Sequence, residues 1–443
     1  MSKRVLIITY YWPPAGGAGV QRWLKFVKYL PEFGWKPVVY TVKDGEYPAL
    51  DPSLEKDVPP GITVIRRKIF EPYLYYKKFI GQNPSQKIQA GFLSEEEKPR
   101  RKERIARWIR GNLFIPDARR FWIRPSIRFL TRYLRKHPVD VIVSTGPPHS
   151  MHLIALGLKK KLKIPWVADF RDPWTQIDFY QELHLTRWAD KKHQRLEREV
   201  VLHSDGIITV TRTMLEEFKK LGARNCHFIP NGFDSDDLPS EPLSPPEKFI
   251  ITHAGSINPD RNPETLWKVL EEMTKDPIFA KALEIRLIGH VDVSVKRSIH
   301  EHHLESFTRF IPYLPHEEVL KAERQAAVLL LLINQTPNAR GILTGKLFEY
   351  LAVGRPILLL GPIDGEAAVI LKETGRGDVA AYHDVKTIET IVRSFFKSFT
   401  GGNPFNAGKK NINKYHRKTL TKELSSLLLT CCYNNSLRNI SSR

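Results

Sequence analysis

The stretch VLLLLINQTPNARGILTGKLFEYLAVGRPILLLG, residues 328–361, decides the fold. It begins with an apolar run, continues through a polar loop into a segment with helical apolar spacing, and ends in a second apolar run after Gly354-Arg355-Pro356. Short, fully apolar strands are typical of parallel sheets with helices on both faces. The stretch therefore predicts a β-α-β unit, with strands at 328–333 and 356–361 and a helix at 344–353.

The same alternation extends in both directions along the chain, which is typical of doubly wound α/β domains. It predicts further strands at 4–9, 37–42, 63–68, 139–145, 166–170, 206–211, 226–229, 249–254, 284–289, 309–312 and 379–382. The alternation is interrupted once, by DSDDLPSEPLSPPEK at 234–248, where the prolines exclude a helix or strand interior.

We therefore predict an α/β protein with two doubly wound, Rossmann-like parallel-sheet domains that face a central cleft. The first domain would span 1–234 and include a basic insertion at 98–137. A Pro-rich linker at 235–248 would lead to a second domain at 249–400. Residues 401–443 would supply a C-terminal helix and a frayed tail.

Composition excludes several classes of protein. The longest apolar run, residues 326–333, is far shorter than the roughly 20 residues of a membrane-spanning helix. The first apolar stretch, residues 5–8, is too short for a signal-peptide core. The three cysteines, Cys226, Cys431 and Cys432, form neither a disulfide framework nor a metal-ligand pattern. We therefore expect a cytoplasmic protein.

Positive charge is the unusual feature of this chain. Its formal net charge is +21, and residues 98–137 hold fourteen Lys and Arg against Glu103 and Asp117. Within this segment, residues 123–135 alternate apolar and Arg positions at helical spacing. Such a helix can lie on an anionic membrane surface, contact a nucleic-acid backbone, or pack on a core with a charged outer face. We favour the membrane or the core over nucleic acid, because no recognisable nucleic-acid module is present.

Two loops in the first half carry candidate binding residues. In PPAGGAG, residues 13–19, Gly16 and Gly17 would let the backbone approach a ligand at a helix N-terminus, or would simply form a tight turn. In STGPPHSMH, residues 144–152, His149 opens a helix after a strand and is a catalytic or positional candidate. DFRDPW at 169–174 follows the next strand, and it offers acceptor-side candidates or a buried Asp–Arg pair that ties loops together: Asp169, Arg171, Asp172 and Trp174.

The second half carries a more specific pattern. Gly255 and Arg261 follow the first strand of this half, where arginine can bind a phosphate group. In TGKLFEYLAVGRPIL, residues 344–358, Lys346 and Glu349 share one helix face. Lys346 can neutralise phosphate and Glu349 can accept hydrogen bonds from a vicinal diol such as ribose. The alternative is an ordinary salt bridge on an amphipathic helix, worth about 0.2–0.5 kcal/mol.

The motifs PPAGGAG, PPHS, IPNGFD (229–234), RNPETL (261–266) and GKLFEYLAVGRPIL together resemble a GT-B-fold retaining glycosyltransferase of the family 4, or group 1, type. The order of the motifs is similar to that in enzymes that build bacterial surface polysaccharides, and the resemblance covers about residues 3–377. It implies transfer of a sugar from a nucleoside-diphosphate sugar to a lipid-linked or saccharide acceptor, with retention of configuration. The C-terminal helix would then cross back onto the first domain.

The resemblance also assigns roles to residues. It implies catalytic roles for His149, Arg261 and Lys346, with the last two at the diphosphate. It implies a ribose contact for Glu349. The nucleotide-sugar would further contact Gly16, Gly17, Gly255, Gly341, Leu343 and Thr344. No metal or other cofactor is expected, because cationic side chains would stabilise the leaving group and the DSD at 234–236 lies in the predicted linker.

The sequence departs from the family pattern at one point. The family commonly has two glutamates in the spacing E-x7-E, and Gly341 stands where the first would be. This leaves the contact to the sugar ring open. A sugar-nucleotide epimerase of the same fold, and less favourably a nucleic-acid-binding protein, are the alternatives. The basic segment 98–137 favours a transferase at the inner membrane face over the epimerase.

Overall fold

The chain forms two compact units in the computed structural model, which describes residues 2–47, 49–70, 108–177, 180, 183–239, 241–402 and 412–441. The first unit comprises Met1–Pro230 and Arg417–Arg443, and the second comprises Asn231–His416. The division falls before the predicted boundary at residue 234 because Phe233 already belongs to the second unit, where its N–H donates to the carbonyl oxygen of Tyr415 at 3.1 Å. The Pro-rich segment 235–248 is thus part of the second unit.

The first unit is built on a seven-stranded sheet in the order β3-β2-β1-β4-β5-β6-β7, in which every neighbouring pair is parallel. Successive residues of β1 point to opposite faces, because side chains alternate along a strand. Leu6 and Ile8 enter one hydrophobic core, while Val5 and Ile7 enter another. The strands are β1 Lys3–Ile8, β2 Trp35–Lys43, β3 Thr63–Lys68, β4 Val141–Gly146, β5 Trp166–Phe170, β6 Gly206–Thr209 and β7 Cys226–Phe228.

Helices cover both faces of this sheet. The C-terminal helix belongs to this unit, where Leu420 and Leu424 enter the core and the indole N–H of Trp35 donates to Ser425 Oγ at 3.0 Å. The helices are α1 Ala18–Tyr29, α2 Arg120–Lys136, α3 Ser150–Leu162, α4 Arg187–His203, α5 Arg212–Lys220 and the C-terminal helix Arg417–Ser441.

The second unit has a six-stranded parallel sheet in the order β10-β9-β8-β11-β12-β13. The strands are β8 Phe249–Ala254, β9 Leu283–Ile288, β10 Thr308–Ile311, β11 Val328–Leu332, β12 Ile357–Leu360 and β13 Gly377–Ala380. The helices are α6 Glu264–Met273, α7 Pro277–Ala282, α8 Val293–Glu301, α9 His316–Gln325, α10 Gly345–Val353, α11 Glu366–Thr374 and α12 Val385–Thr400. The C-terminal helix of the first unit is hereafter α13.

Strand order fixes where a ligand can bind. In the first sheet β1 lies between β2 and β4, and in the second β8 lies between β9 and β11. The chain order reverses at these points, so the loops that leave the two central strands diverge and open a crevice at the carboxyl ends of the strands. In the second unit these are the loops after β8 and β11, which carry Gly255 and Gly341.

The predicted doubly wound, two-sheet fold is confirmed. Three short helices, α5, α7 and α8, were not predicted, because each is at most nine residues long and is difficult to distinguish from a loop by periodicity. The predicted basic insertion 98–137 falls partly outside the described residues, since 71–107 are not described. Its described part includes α2, the helix that connects β3 to β4 in the sheet.

No helix within the described ranges is long and apolar enough to cross a membrane.

Candidate functional site

The side chain of Lys346 lies directly over Gly255. Gly255 follows the last residue of β8 with φ +122°, and Lys346 is in the first turn of α10. A β-carbon at Gly255 would lie 2.0 Å from Lys346 Nζ and 2.4 Å from Cε. Glycine is favoured here, because any side chain would displace the lysine and would be strained at this φ.

A second glycine shapes the same loop. Gly289 follows β9 with φ +113°, and a β-carbon there would meet the backbone of Gly255 at 3.1 Å. The backbones that leave neighbouring strands β8 and β9 thus approach each other closely. The sequence shows Gly289 only as a glycine at the end of a strand.

Arg261 lies beside Lys346 at the end of the turn Pro259–Arg261. Its Nε–H donates to Oδ1 of Asn334, which follows β11, and its Nη1 donates to the carbonyl oxygen of Ser256 at 3.2 Å. These bonds connect the loops after β8 and β11 and fix the guanidinium group. They place the predicted phosphate ligands Arg261 and Lys346 at one edge of the sheet.

Lys346 has no ion-pair partner among the described residues. Burial, followed by the positive charge of Arg261, lowers its pKa from 10.5 to about 8, although Glu349 and Glu323 oppose the shift. Two cationic side chains therefore share one site in which the protein provides no direct counter-ion to the lysine. A bound anion would relieve both the desolvation and the repulsion.

Glu349 pairs with a histidine and not with Lys346. His316 Nε2 lies 3.2 Å from Glu349 Oε1, and about a third of the Glu349 side chain is exposed. The alternative of a simple Lys346–Glu349 salt bridge on the helix surface is therefore not what the structure shows. The carboxylate keeps free lone pairs for a ligand hydroxyl.

A buried carboxyl group lies behind this pair. Glu323, on α9, is fully buried, and neither of its carboxyl oxygens has a hydrogen-bond partner in the described structure. Burial, and then the negative charge of Glu349, raises the pKa of Glu323 well above its ordinary value. Burial thus favours the protonated, neutral form of Glu323.

Tyr350 is a buried residue of α10 that contacts the end of β8. Its hydroxyl oxygen accepts the N–H of Ala254 at 3.0 Å, which connects α10 to the end of β8. Burial and the nearby Glu323 raise the pKa of Tyr350 well above 10. The tyrosine therefore stays neutral and fixes the backbone just before Gly255.

The loop before α10 provides fewer backbone donors than we expected. The N–H of Gly341 donates to the carbonyl oxygen of Asn338 at 2.9 Å, so this predicted backbone donor is used within the loop. Leu343 is buried, and Thr344 stands at the N-cap position of α10, where its buried Oγ1 makes no hydrogen bond in the described structure. The free N–H groups of the first turn of α10 remain the donors at this end of the site.

In the first unit, the two predicted glycines differ in their surroundings. Gly16 is packed against the chain, since its N–H donates to the carbonyl oxygen of Ala49 at 2.9 Å and a β-carbon would meet Asp51 Cβ at 3.1 Å. This packing fits the alternative of a tight turn. Gly17 is exposed, has φ +89° and would meet nothing within 4 Å, so it is the open position in this loop.

Asp169 is part of the core and not a surface acceptor site. Arg22 and Asp169 form an ion pair at 2.8 Å in which both side chains are fully buried. Trp23 Nε1–H and the Thr145 hydroxyl also donate to Asp169, each at 2.7 Å. A buried Asp–Arg pair was one of our two readings, but the partner is Arg22 and not Arg171.

Arg171 and Trp174 also have structural partners. Arg171 donates to the carbonyl oxygens of Gly19 (at 3.0 Å) and Pro147, which ties three loops together. Trp174 is buried, donates through Nε1 to His193 Nδ1 at 3.1 Å, and stacks on the ring of His149 with centroids 4.5 Å apart. Of the four acceptor-side candidates, only Asp172 is exposed.

His149 is a buried, neutral imidazole. Burial, and then the charges of His152 and His193, lower its pKa well below 6.5, so it does not titrate near neutral pH. Its Nδ1 has no described partner. The helix that it opens is already capped, because Asp117 accepts the N–H and the hydroxyl of Ser150, each at 2.8 Å.

The charged face of α2 continues onto α4. Arg124, Arg128, Arg132 and Arg135 are exposed, while Leu130 and Leu134 are buried. At the N-terminal end, exposed Phe121 contacts Phe114 and Phe70, with ring centroids 6.1 and 5.6 Å apart. Lys192 lies near Arg120 and Arg195 and over the exposed ring of Trp188. We name this surface the basic aromatic patch: Phe70, Phe114, Arg120, Phe121, Trp188, Lys192 and Arg195.

Comparison with known proteins shows what this chain is similar to. Residues 84–237 match the family model Glycosyltransferase Family 4. The structure of sucrose-phosphate synthase from Thermosynechococcus elongatus aligns with a TM-score of 0.59 at 14% identity, over 97% of this chain and 98% of that chain. The chain has the GT-B fold, and its residues 84–237 are similar to family 4 glycosyltransferases.

Other solved glycosyltransferases share this fold. TarM aligns with a TM-score of 0.61 at 11% identity, over 97% of this chain and 99% of that chain. WaaG, a glycosyltransferase involved in lipopolysaccharide biosynthesis, aligns with a TM-score of 0.53 at 13% identity, over 96% and 99% of the two chains. No protein of curated function matches the sequence significantly. The predicted GT-B fold is thereby confirmed, and the match over residues 84–237 agrees with the predicted family.

Several residues of this candidate site were not predicted. His316, Glu323 and Asn334 surround Lys346 and Glu349, but they come from α9 and from the loop after β11. The only sequence signal was that α9 carries His316 and Glu323 seven residues apart, and hence on one helix face.

Proposed function

We propose that this glycosyltransferase binds its nucleoside-diphosphate sugar in the second unit, with the diphosphate at Lys346 and Arg261. The observation that carries the proposal is the unpaired Lys346, held over Gly255 beside a second cation. A diphosphate is the matching ligand because it is doubly charged and accepts several hydrogen bonds. The N-terminus of α10 adds free N–H groups and a positive dipole end.

Glu349 is the proposed ribose contact. Its partly exposed carboxylate lies one helical turn from Lys346, as the ribose of a nucleotide lies next to its diphosphate. An ionised carboxylate can accept a hydrogen bond from each hydroxyl of a vicinal diol. One similar structure, of S. aureus TarM, is a complex with UDP.

The chemistry follows from this placement. Cleavage of the sugar–phosphate bond leaves negative charge on the departing diphosphate, and Lys346 and Arg261 would stabilise it. Removing one such pre-placed donor commonly lowers a rate by about 10²–10³. We propose that the reaction retains the anomeric configuration and needs no metal, and that His149 and Gly17 contact sugar or acceptor. Product NMR and activity in EDTA test the first two points.

Thermal stabilisation tests the nucleotide site. The protein would be heated with UDP, GDP, ADP, CMP or a single-stranded oligonucleotide, each compared with Glu349→Ala. A ligand at a hundred times its Kd adds about 2.7 kcal/mol of stability. Stabilisation by one diphosphate that disappears in Glu349→Ala supports the proposal. Stabilisation by the oligonucleotide alone refutes it.

We further propose that the acceptor is lipid-linked or a saccharide precursor, and that the basic aromatic patch contacts an anionic membrane surface. Trp188 is 61% exposed and Phe121 44% exposed, next to Arg120 and Lys192. Exposed aromatic rings among cations suit the interface of an anionic bilayer. The protein is expected to cosediment with vesicles that contain anionic lipid and not with neutral vesicles. This cosedimentation should decrease in the double variant Trp188→Ser/Lys192→Gln.

The main alternative is a sugar-nucleotide epimerase, since one similar structure is a putative UDP-N-acetylglucosamine 2-epimerase from Listeria monocytogenes. It would share the diphosphate site but would need no acceptor. Incubation of the donor sugar without acceptor separates the two functions. An epimerised sugar would favour the alternative, whereas acceptor-dependent release of the nucleoside diphosphate favours the transferase.

A further inference from the structure

Helix α9 presents one face to α10. His316, Leu320 and Glu323 are spaced four and three residues apart, so they lie on the same side of the helix. Leu320 and Glu323 are buried, and His316 reaches Glu349 on α10. The face thus begins with a polar contact at the site and continues into the interior of the unit.

The direction of the His316–Glu349 hydrogen bond is determined by the acceptor. An ionised carboxylate can only accept, so Nε2 of His316 carries the hydrogen, whether the ring is neutral or charged. At 3.2 Å this bond occupies one lone pair of Oε1. It fixes the orientation of the carboxylate and leaves its other lone pairs accessible, since the side chain is about a third exposed.

Without this bond, Glu349 would have a competing partner. Lys346 precedes it by three residues, at a spacing where Lys–Glu pairs form readily on a helix. The two charges already influence each other, because Glu349 raises the pKa of Lys346. A Lys346–Glu349 ion pair would occupy the lysine that the diphosphate needs. It would also turn the carboxylate toward the lysine.

We propose that His316 is a positioning residue that holds Glu349 for the ribose and keeps it from pairing with Lys346. The proposal rests on the proposed nucleotide site and adds a residue that supports the preference of Glu349 for ribose. It predicts that His316 acts through Glu349 on the recognition of the sugar hydroxyls, and not on the overall stability of the unit.

The test compares ribonucleotides with their 2′-deoxy forms. Calorimetry would give the Kd of UDP, GDP and ADP and of each 2′-deoxy counterpart. A hydrogen bond to a charged group favours the ribonucleotide by about 10- to 100-fold. For the base that binds, the ratio of the Kd of the 2′-deoxy nucleotide to that of the ribonucleotide should fall by at least about threefold in His316→Ala. His316→Gln should restore most of it, because the amide can donate to the same oxygen.

Two further variants separate the possible failures. Glu349→Ala should abolish the ribose preference; if it does not, the proposed ribose contact fails, whatever His316 does. His302→Ala is the matched control, because it removes a similar histidine–glutamate contact, 2.7 Å to Glu271, elsewhere in the second unit. The inference is overturned if Glu349→Ala abolishes the preference while His316→Ala keeps it, or if His302→Ala lowers it as much as His316→Ala.

Discussion

Replacing Gly255 by alanine tests whether Lys346 acts from the position that the structure gives it. The new β-carbon would lie 2.0 Å from Nζ and 2.4 Å from Cε of Lys346, whereas an ordinary contact needs about 3.5 Å. The amine must therefore move by about 1.5 Å. A charge-assisted hydrogen bond of about 2.8 Å would then be lost.

The expected magnitude follows from that displacement. Losing one charge-assisted hydrogen bond to the diphosphate should weaken nucleotide binding by about 10- to 100-fold. The transfer rate should fall by about 10²–10³, because a charged donor to the leaving group is removed. The backbone at φ +122° adds a stability cost of about 1–3 kcal/mol in any non-glycine variant.

Gly375→Ala separates backbone strain from displacement of the lysine. Gly375 also has a positive φ, +61°, but a β-carbon there would meet nothing within 4 Å. This variant should lose about 1 kcal/mol of stability and keep nucleotide affinity. The assay is calorimetric titration with the stabilising nucleoside diphosphate, together with initial rates of its release from the donor.

A double-mutant cycle with Lys346→Met completes the test. If Gly255→Ala acts only by moving the lysine, it should add little to the effect of Lys346→Met, and the coupling energy should approach the effect of Gly255→Ala alone. Two results would refute the reasoning: an unchanged Kd in Gly255→Ala, or full additivity of the two substitutions.

Three further predictions concern buried or shifted charges. Because the pKa of Glu323 is raised in the folded protein, the free energy of unfolding of the wild type should fall as pH rises above 4.5. The slope should be about 1.4 kcal/mol per pH unit over the range in which Glu323 keeps its proton only in the folded state. Glu323→Gln should remove this pH dependence, as denaturant titrations at several pH values would show. Asp169→Asn should lower the free energy of unfolding by about 3–5 kcal/mol, because Arg22 would be left buried without a counter-charge. As a control, Glu199→Gln, in the exposed pair with Lys160, should change the free energy of unfolding by less than about 0.5 kcal/mol. Nucleotide affinity should fall as pH rises through about 8, where Lys346 loses its charge, and Lys346→Arg should move this decline to higher pH in calorimetric pH profiles.

The sheets could be predicted from the sequence because their strands are short apolar runs. Residues 328–333 and 356–361 correspond to β11 and β12, and the apolar character of each run reflects a strand that is buried on both faces. Strand order could not be read in this way. It depends on which crossovers pack side by side, and this is a tertiary property.

The same limit explains the result for the site residues. Gly255, Arg261 and Lys346 were each identified locally, from a glycine, an arginine and a lysine beside predicted strand ends. Their contact depends on β8 lying beside β11, with two other strands between them in the sequence. Partners such as Arg22 for Asp169, 147 residues away, leave no local signal at all.

The arrangement of charge in the second unit also has an energetic consequence. Folding places Lys346 next to Arg261 and partly out of water, and this disfavours its charged form, as the lowered pKa records. Holding this unpaired cation in position therefore lowers the free energy of unfolding of the protein. A diphosphate bound there would offset the repulsion between the two cations. Ligand binding and stability are thus coupled through the same two side chains, and the empty second unit is expected to be the less stable form.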